Sequence, residues 1–193
     1  MKAIIVSLVF AVASTFANAQ DFEKGGNYIT AGYGVDAGGL PGTFSGIGLG
    51  PIMVSYERGI TDVLGIGRIG VGGGLAFSHY NYRSISTTFL TGSTEHKYKT
   101  NRVTPFIRGT YHFEFDIPKM DVYAGVGFGI NIDSEKDQYF VNGSLNSKTA
   151  STTVFPVHLV VAGIRYYFSD AFGVYAEVGD GVANVNAGIV FSF

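Results

Sequence analysis

The sequence predicts one all-β domain, a closed antiparallel up-and-down transmembrane β-barrel of about eight strands. Three observations predict it: period-two alternation along most of the chain, glycine gathered mainly on the polar face of that alternation, and connections that alternate long and short. Glycine numbers 28 of 193 residues, about twice the usual share, yet 46% of the chain is hydrophobic and only 15% charged. With 12 Tyr and 16 Phe beside them, these glycines belong to apolar strands rather than to a disordered tract.

The chain opens on Met1-Lys2, an apolar run from Ala3 to Ala13, and Ala17-Asn18-Ala19. A short positive start, an apolar core too short to span a bilayer and a small-x-small ending predict a signal peptide over 1–19, cleaved before Gln20. Residues 20–193 then form the barrel, with 12 basic against 15 acidic residues and a net charge of −3. That balance, with no run of Lys or Arg, points away from nucleic acid. No cysteine is present, which excludes disulfides, thiolate metal sites and thiol nucleophiles.

The first strand is expected over 27–35, where Ile29, Ala31, Tyr33 and Val35 alternate with Tyr28, Thr30, Gly32 and Gly34. The second, 52–58, sets Ile52, Val54 and Tyr56 against Met53, Ser55 and Glu57. In the third, 66–78, Ile69, Val71, Leu75 and Phe77 oppose Arg68, Gly70, Gly72, Gly74 and Ala76. The fourth, 102–113, sets Val103, Ile107, Tyr111 and Phe113 against Arg108, Thr110 and His112. In the fifth, 122–133, every even position is apolar and every odd one is Tyr, Gly, Asn or Asp. The sixth, 154–168, opposes Val160, Ala162, Ile164 and Tyr166 to Gly163 and Arg165. The seventh, 174–179, opposes Val174, Ala176 and Val178 to Tyr175, Glu177 and Gly179. The eighth, 185–193, sends Ala187, Ile189, Phe191 and Phe193 one way and Asn186, Gly188 and Ser192 the other.

Between these strands lie 36–51, 59–65, 79–101, 114–121, 134–153, 169–173 and 180–184. Long connections are expected on the outer side and short turns, with both termini, on the periplasmic side. The long ones are rich in Gly, Pro, Ser and Thr and read as contact-making loops. Aromatic girdles are expected from Tyr111, Phe113 and Phe115, from Tyr166, Tyr167, Phe168 and Phe172, and from Phe191 and Phe193. Pro105 and Pro156 fall inside strand patterns, where each removes a ladder donor.

Which face meets lipid follows from the polar one. It carries Glu57, Arg68, Arg108, Arg165 and Glu177 with many glycines, and lacks the Lys and Glu that a soluble surface needs. Turned inward, these five are expected to pair across a narrow lumen as a neutralising network that plugs it. A lipocalin-like cup, with the faces reversed, is the competing arrangement.

Gly65-Ile66-Gly67-Arg68-Ile69-Gly70 matches a dinucleotide fingerprint, but a strand rather than a helix follows it, so no cofactor is expected. Asn142-Gly143-Ser144 fits a glycosylation acceptor by chance. His79, His96, His112 and His158 lack metal-ligand spacing. His79 and His158, with Ser78, Glu95 and Asp133 near them, are the residues from which a lipid-modifying triad would have to be built. Both histidines point outward by the alternation, so no catalytic site is expected.

The leader, the segment Gly163-Ile164-Arg165-Tyr166-Tyr167-Phe168 and the ending Val185-Asn186-Ala187-Gly188-Ile189-Val190-Phe191-Ser192-Phe193 resemble the outer-membrane β-barrel domain family, whose OmpA/OmpX-like members are small eight-stranded barrels. The resemblance spans the mature chain and rests on pattern. It implies a Gram-negative outer-membrane location among lipid and lipopolysaccharide, and delivery by the outer-membrane assembly machinery, with Phe193 as the assembly signal. It also implies a non-enzymatic envelope-structural or adhesion-type role, in which outer loops meet an extracellular ligand or host surface. A narrow channel for small solutes and a lipid A-modifying enzyme are the alternatives.

Overall fold

The computed structural model describes residues 22–35, 46–88, 92–115 and 117–193. The expected leader and most of the first outer connection lie outside them. Eight strands follow in chain order: β1 Asn27–Val35, β2 Gly46–Gly59, β3 Gly67–Thr88, β4 Gly92–Phe113, β5 Met120–Val141, β6 Ser144–Tyr167, β7 Phe172–Asp180 and β8 Val185–Ser192. Each pairs antiparallel with the next, and β1 pairs with β8 from Tyr28↔Ser192 to Val35↔Val185, closing the barrel. Closure leaves no edge within the ring, so every backbone donor there has a partner without water.

The alternation sorts side chains as the sequence predicts. On β5, Val126, Phe128 and Ile130 are exposed, while Tyr123, Asn131 and Asp133 are buried. The outward apolar set continues round the wall through Ile29, Val54, Leu75, Ile107, Ile164, Val174 and Ile189, all exposed in the isolated chain. In water a girdle of this kind would cost ~25 cal/mol per Å²; against hydrocarbon it costs nothing. The lipocalin-like arrangement, which needs the reverse orientation, is therefore overturned.

Two segments expected as outer loops are strand. β3, β4 and β5 each run 22 residues and β6 runs 24, so nearly all of 79–101 and 134–153 belongs to the sheet. Their Ser, Thr and Lys content signalled loops, but β-branched Thr and aromatic Tyr suit a pleated surface as well. The β5–β6 connection shrinks to Asn142 and Gly143, both at positive φ (48° and 80°), between the paired Val141 and Ser144. Asn-Gly is the pair favoured in a two-residue hairpin, because both central positions need that conformation.

The prolines are tolerated locally. The β4–β5 register passes from Val103↔Ile132 to Phe106↔Gly129 and skips Pro105. Pro156 lies where β6 has no β7 neighbour, since that pairing begins at Val160↔Asp180.

Ring contacts occur in the expected girdles: Tyr111–Phe113 at 5.2 Å, Tyr166–Phe168 at 5.5 Å and Phe191–Phe193 at 6.2 Å between centroids. Tyr167 is the exception. It is 2% exposed and turns into the lumen, as its odd position on β6 requires.

Candidate functional site

The lumen is filled in three tiers, and the inward glycines make the room. A Cβ on Gly163 would come within 2.5 Å of the Tyr123 ring, and one on Gly127 within 2.9 Å of the Arg108 Cβ. Large polar side chains fit because glycine faces them from the next strand.

The middle tier holds the charges. Arg108 Nη1 donates to Glu177 Oε1 at 2.6 Å, and its Nη2 lies 3.8 Å from Glu57. Arg165, fully buried, donates to Glu57 and, at 3.3 Å, to Asp121. His112 places Nδ1 2.8 Å from Asp121 and Nε2 3.0 Å from Glu57, while Thr110 spends its hydroxyl proton on Glu57. Both ring nitrogens thus face carboxylates. Tyr123 completes the cluster, donating to Glu177 at 2.7 Å with the Arg165 guanidinium 4.6 Å from its ring centroid.

Four of the five residues singled out from the sequence, Glu57, Arg108, Arg165 and Glu177, meet in this cluster. Arg68 does not. It sits at the mouth beside Phe22, paired with Glu114 at 2.8 Å and donating to the Phe22 carbonyl. Being second from the start of β3, it stands at the rim, below the level of the network. Sequence reasoning missed Asp121, His112 and Tyr123 as members. All three lie on the inward alternation of β4 or β5, the signal that could have found them.

The lower tier is aromatic: Phe22, Tyr28, Tyr167 and Tyr175 with Val190. Phe22 precedes β1, folds back into the mouth and is 5% exposed. The upper tier is apolar, made of Met53, Ala76, Phe106 and Leu159. Buried ions held between two apolar plugs form a structural core, with the pairing that charges in such a place require. A cavity of about 200 Å³ remains at the lower mouth between Phe22, Arg68, His112, Glu114 and Asp121.

The remaining histidines lie elsewhere. His79 Nδ1 is 2.6 Å from Asn101, and His158 Nε2 is 2.9 Å from Asp180 on the exposed outer wall. Ser78 is buried on the opposite face of β3 from His79. Among the described residues no group of three or more His, Cys, Asp or Glu is arranged to hold a metal ion.

The fold is a closed, antiparallel, eight-stranded β-barrel with an apolar outer wall, the form of a small transmembrane barrel. No family model matches the sequence, and the search of curated proteins returns no match. Among solved structures, the chain is similar to the N-terminal β-barrel domain of OprF from Pseudomonas aeruginosa, at 16% identity and a TM-score of 0.47, covering 88% of this chain and 98% of that one. It is also similar to Ail, the attachment invasion locus protein of Yersinia pestis, at 14% identity and a TM-score of 0.42, covering 89% and 100%. Ail in complex with the heparin analogue sucrose octasulfate gives 13% and 0.43.

Phe193 closes the seam. Its carbonyl accepts from the Asn27 amide at 3.1 Å and its amide donates back at 3.0 Å, while its ring stands outward beside Phe191.

Proposed function

We propose that this chain is a non-enzymatic integral outer-membrane barrel whose raised outer sheet makes surface contacts, in an envelope-structural or adhesion-type role. The supporting observation is the length of β3–β6. These four strands run past the apolar band as one sheet, β5 and β6 joined by the Asn142-Gly143 turn, and among the described residues the 144–159 stretch of β6 has no strand on its other side. A rigid four-stranded platform with a free edge can take up a partner's extended segment through main-chain hydrogen bonds. A filled lumen with apolar tiers at both ends supports contact rather than passage as the role.

Cell fractionation with surface proteolysis and a binding assay tests this. The protein should enter the outer-membrane fraction, migrate faster unboiled than boiled, and lose only its outer hairpins to protease on intact cells. Cells carrying a variant with both long hairpins cut back to the barrel rim should lose adherence to host cells or matrix while keeping the mobility shift. Recovery as a soluble periplasmic protein without that shift overturns the location. Unchanged adherence after trimming overturns the contact role.

A further inference from the structure

In its upper half β6 is an edge strand. Among the described residues nothing pairs with its 144–159 stretch on the side away from β5, because the β7 pairing begins at Val160↔Asp180. Alternate residues along that stretch turn main-chain N–H and C=O groups toward the open side. Main-chain bonding alone admits almost any extended segment, so the two faces of the sheet decide which one is accepted.

The register assigns each side chain to a face. Asp133 is buried, and period two carries the same inner face to Glu135 and Asp137 on β5 and to Thr153, Ser151 and Thr149 opposite them on β6. Arg102 holds Asp133 through two 2.7 Å hydrogen bonds. Among the described residues no cation pairs with Glu135 or Asp137. The outer face takes the intervening positions, Ser134, Lys136 and Gln138 on β5 and Thr152, Ala150 and Lys148 on β6. Neither Lys136 nor Lys148 has an ion pair among the described residues. Next to its free edge the sheet is thus anionic on one side and cationic on the other.

Strand spacing puts these charges within reach of a newcomer. Adjacent strands lie about 4.8 Å apart, so a strand added to β6 stands roughly 9.6 Å from β5. The side chains between are short: Thr149 and Ser151 on the inner face, Ala150 on the outer. A Lys or Arg opposite Thr149 or Ser151 can lean across to Asp137 or Glu135, and an acid opposite Ala150 can lean across to Lys136. Lys148 is met directly, as the one formally charged residue of 144–157. Lysine on an edge strand ordinarily guards it against unwanted pairing. Here the guard rejects a basic or apolar neighbour and admits an acidic one.

We propose that the β6 edge takes up an extended segment of another protein in which acidic and basic residues alternate, the acids on the Lys136 and Lys148 face and the bases on the Glu135 and Asp137 face. A second copy's free β6 edge does not meet this requirement, since 144–159 contains no Asp or Glu. The inference rests on the contact role proposed above and adds the chemistry of the segment contacted. Register belongs to it, because a slip of one residue moves every side chain of the added strand to the other face and sets like charges together.

The test uses the mature chain refolded in zwitterionic bilayers, with its boiling-dependent mobility shift as proof of folding and short synthetic peptides as probes. One peptide alternates Glu and Lys, a second has the same composition with like residues in adjacent pairs, and a third carries Lys at every charged position. Wild type should bind the alternating peptide roughly fivefold more tightly than the paired one. Its β6 amides over 144–155 should exchange more slowly in that complex. In K136E/K148E both faces are anionic, so preference should pass to the all-Lys peptide. Lys119→Gln, in the β4–β5 turn at the barrel's other end, should bind as wild type. Equal affinity for the alternating and paired peptides, or an unchanged preference in K136E/K148E, overturns the proposal. So does binding that leaves β6 exchange untouched, or no binding at all. If adherence is still lost on trimming the hairpins, such a result sinks this inference and leaves the contact role standing; if adherence is kept, the role itself has failed.

Discussion

Phe22 and His112 stack face to face, their ring centroids 3.4 Å apart and their planes 1° from parallel. The first described residue of the chain is thus laid against the buried histidine of the charge cluster, with Tyr28 stacked at 4.7 Å beside Phe22 and Tyr123 at 5.0 Å from the far side of the imidazole. The stack covers one face of the imidazole and narrows the lower mouth beside the cavity, shielding the Glu57–His112 contact from that side. Truncating Phe22 to Ala should cost about 3–5 kcal/mol, the range for removing a buried ring. Urea unfolding in bilayers checks this, and a loss below 1 kcal/mol would place the ring outside the lumen in solution. Wild-type protein in a planar bilayer should be electrically silent, because the upper apolar tier closes the other end.

Arg165 serves two carboxylates, Glu57 and Asp121, with no solvent contact. Replacing it with Met leaves both acids buried beside an apolar chain, at an expected cost of about 3–5 kcal/mol. Adding Glu57→Gln and Asp121→Asn removes the orphaned charges and should restore part of that loss. The restoration is the decisive reading, because a variant that merely packs badly gains nothing from neutralising its neighbours. Thermal unfolding of the single and triple variants by mobility shift gives the comparison.

How much of this was legible in the sequence depends on which physical signal each part uses. The wall was legible throughout, since Ile29, Leu75, Phe128 and Ile189 alternate with small or polar residues over every span and period two admits one reading. The lumen pairs were legible as types but not as partners. Arg108 meets Glu177 across the barrel, 69 positions along the chain, a closeness set by closure and not by any local pattern. The raised sheet was not legible as strand, because 79–101 and 134–153 have no apolar face for alternation to reveal. There the stabilising pairs are cross-strand contacts such as Arg83–Glu95, with Arg102–Asp133 at their base, and the turn residues Asn142 and Gly143 were the one local clue.

Just before β1, Lys24 donates to Asp62 in the β2–β3 turn at 2.5 Å. That hydrogen bond, with the attraction of the ammonium, holds the Asp62 carboxyl below the ordinary aspartate range. A depressed carboxylate contributes at pH values above its unfolded pKa, and the contribution disappears as pH falls through the lowered folded value. The pair fastens the segment carrying Phe22 to the β2–β3 turn, so acid should loosen this attachment before it touches the barrel wall. Carboxyl NMR of Asp62 should show its titration midpoint rising toward the ordinary range in Lys24→Gln. Identical titration in both proteins would show that the contact is not made in solution.

At the opposite end, Gly143 sits at φ 80° with open space where a Cβ would stand, so sterics of packing do not require glycine there. Backbone conformation does. A β-branched residue resists that region, and Gly143→Val should cost about 1–2 kcal/mol per left-handed residue forced upon it. The cost falls on one hairpin because β5 and β6 above the band lean on β4 from one side only. Hydrogen exchange should therefore quicken over 137–150 in the variant, while amides of 122–131 keep wild-type protection and the unfolding midpoint of the barrel stays put. Protection lost along the whole of β5 would mean that the raised sheet and the barrel unfold as one unit, and that the hairpin governs the stability of the wall beneath it.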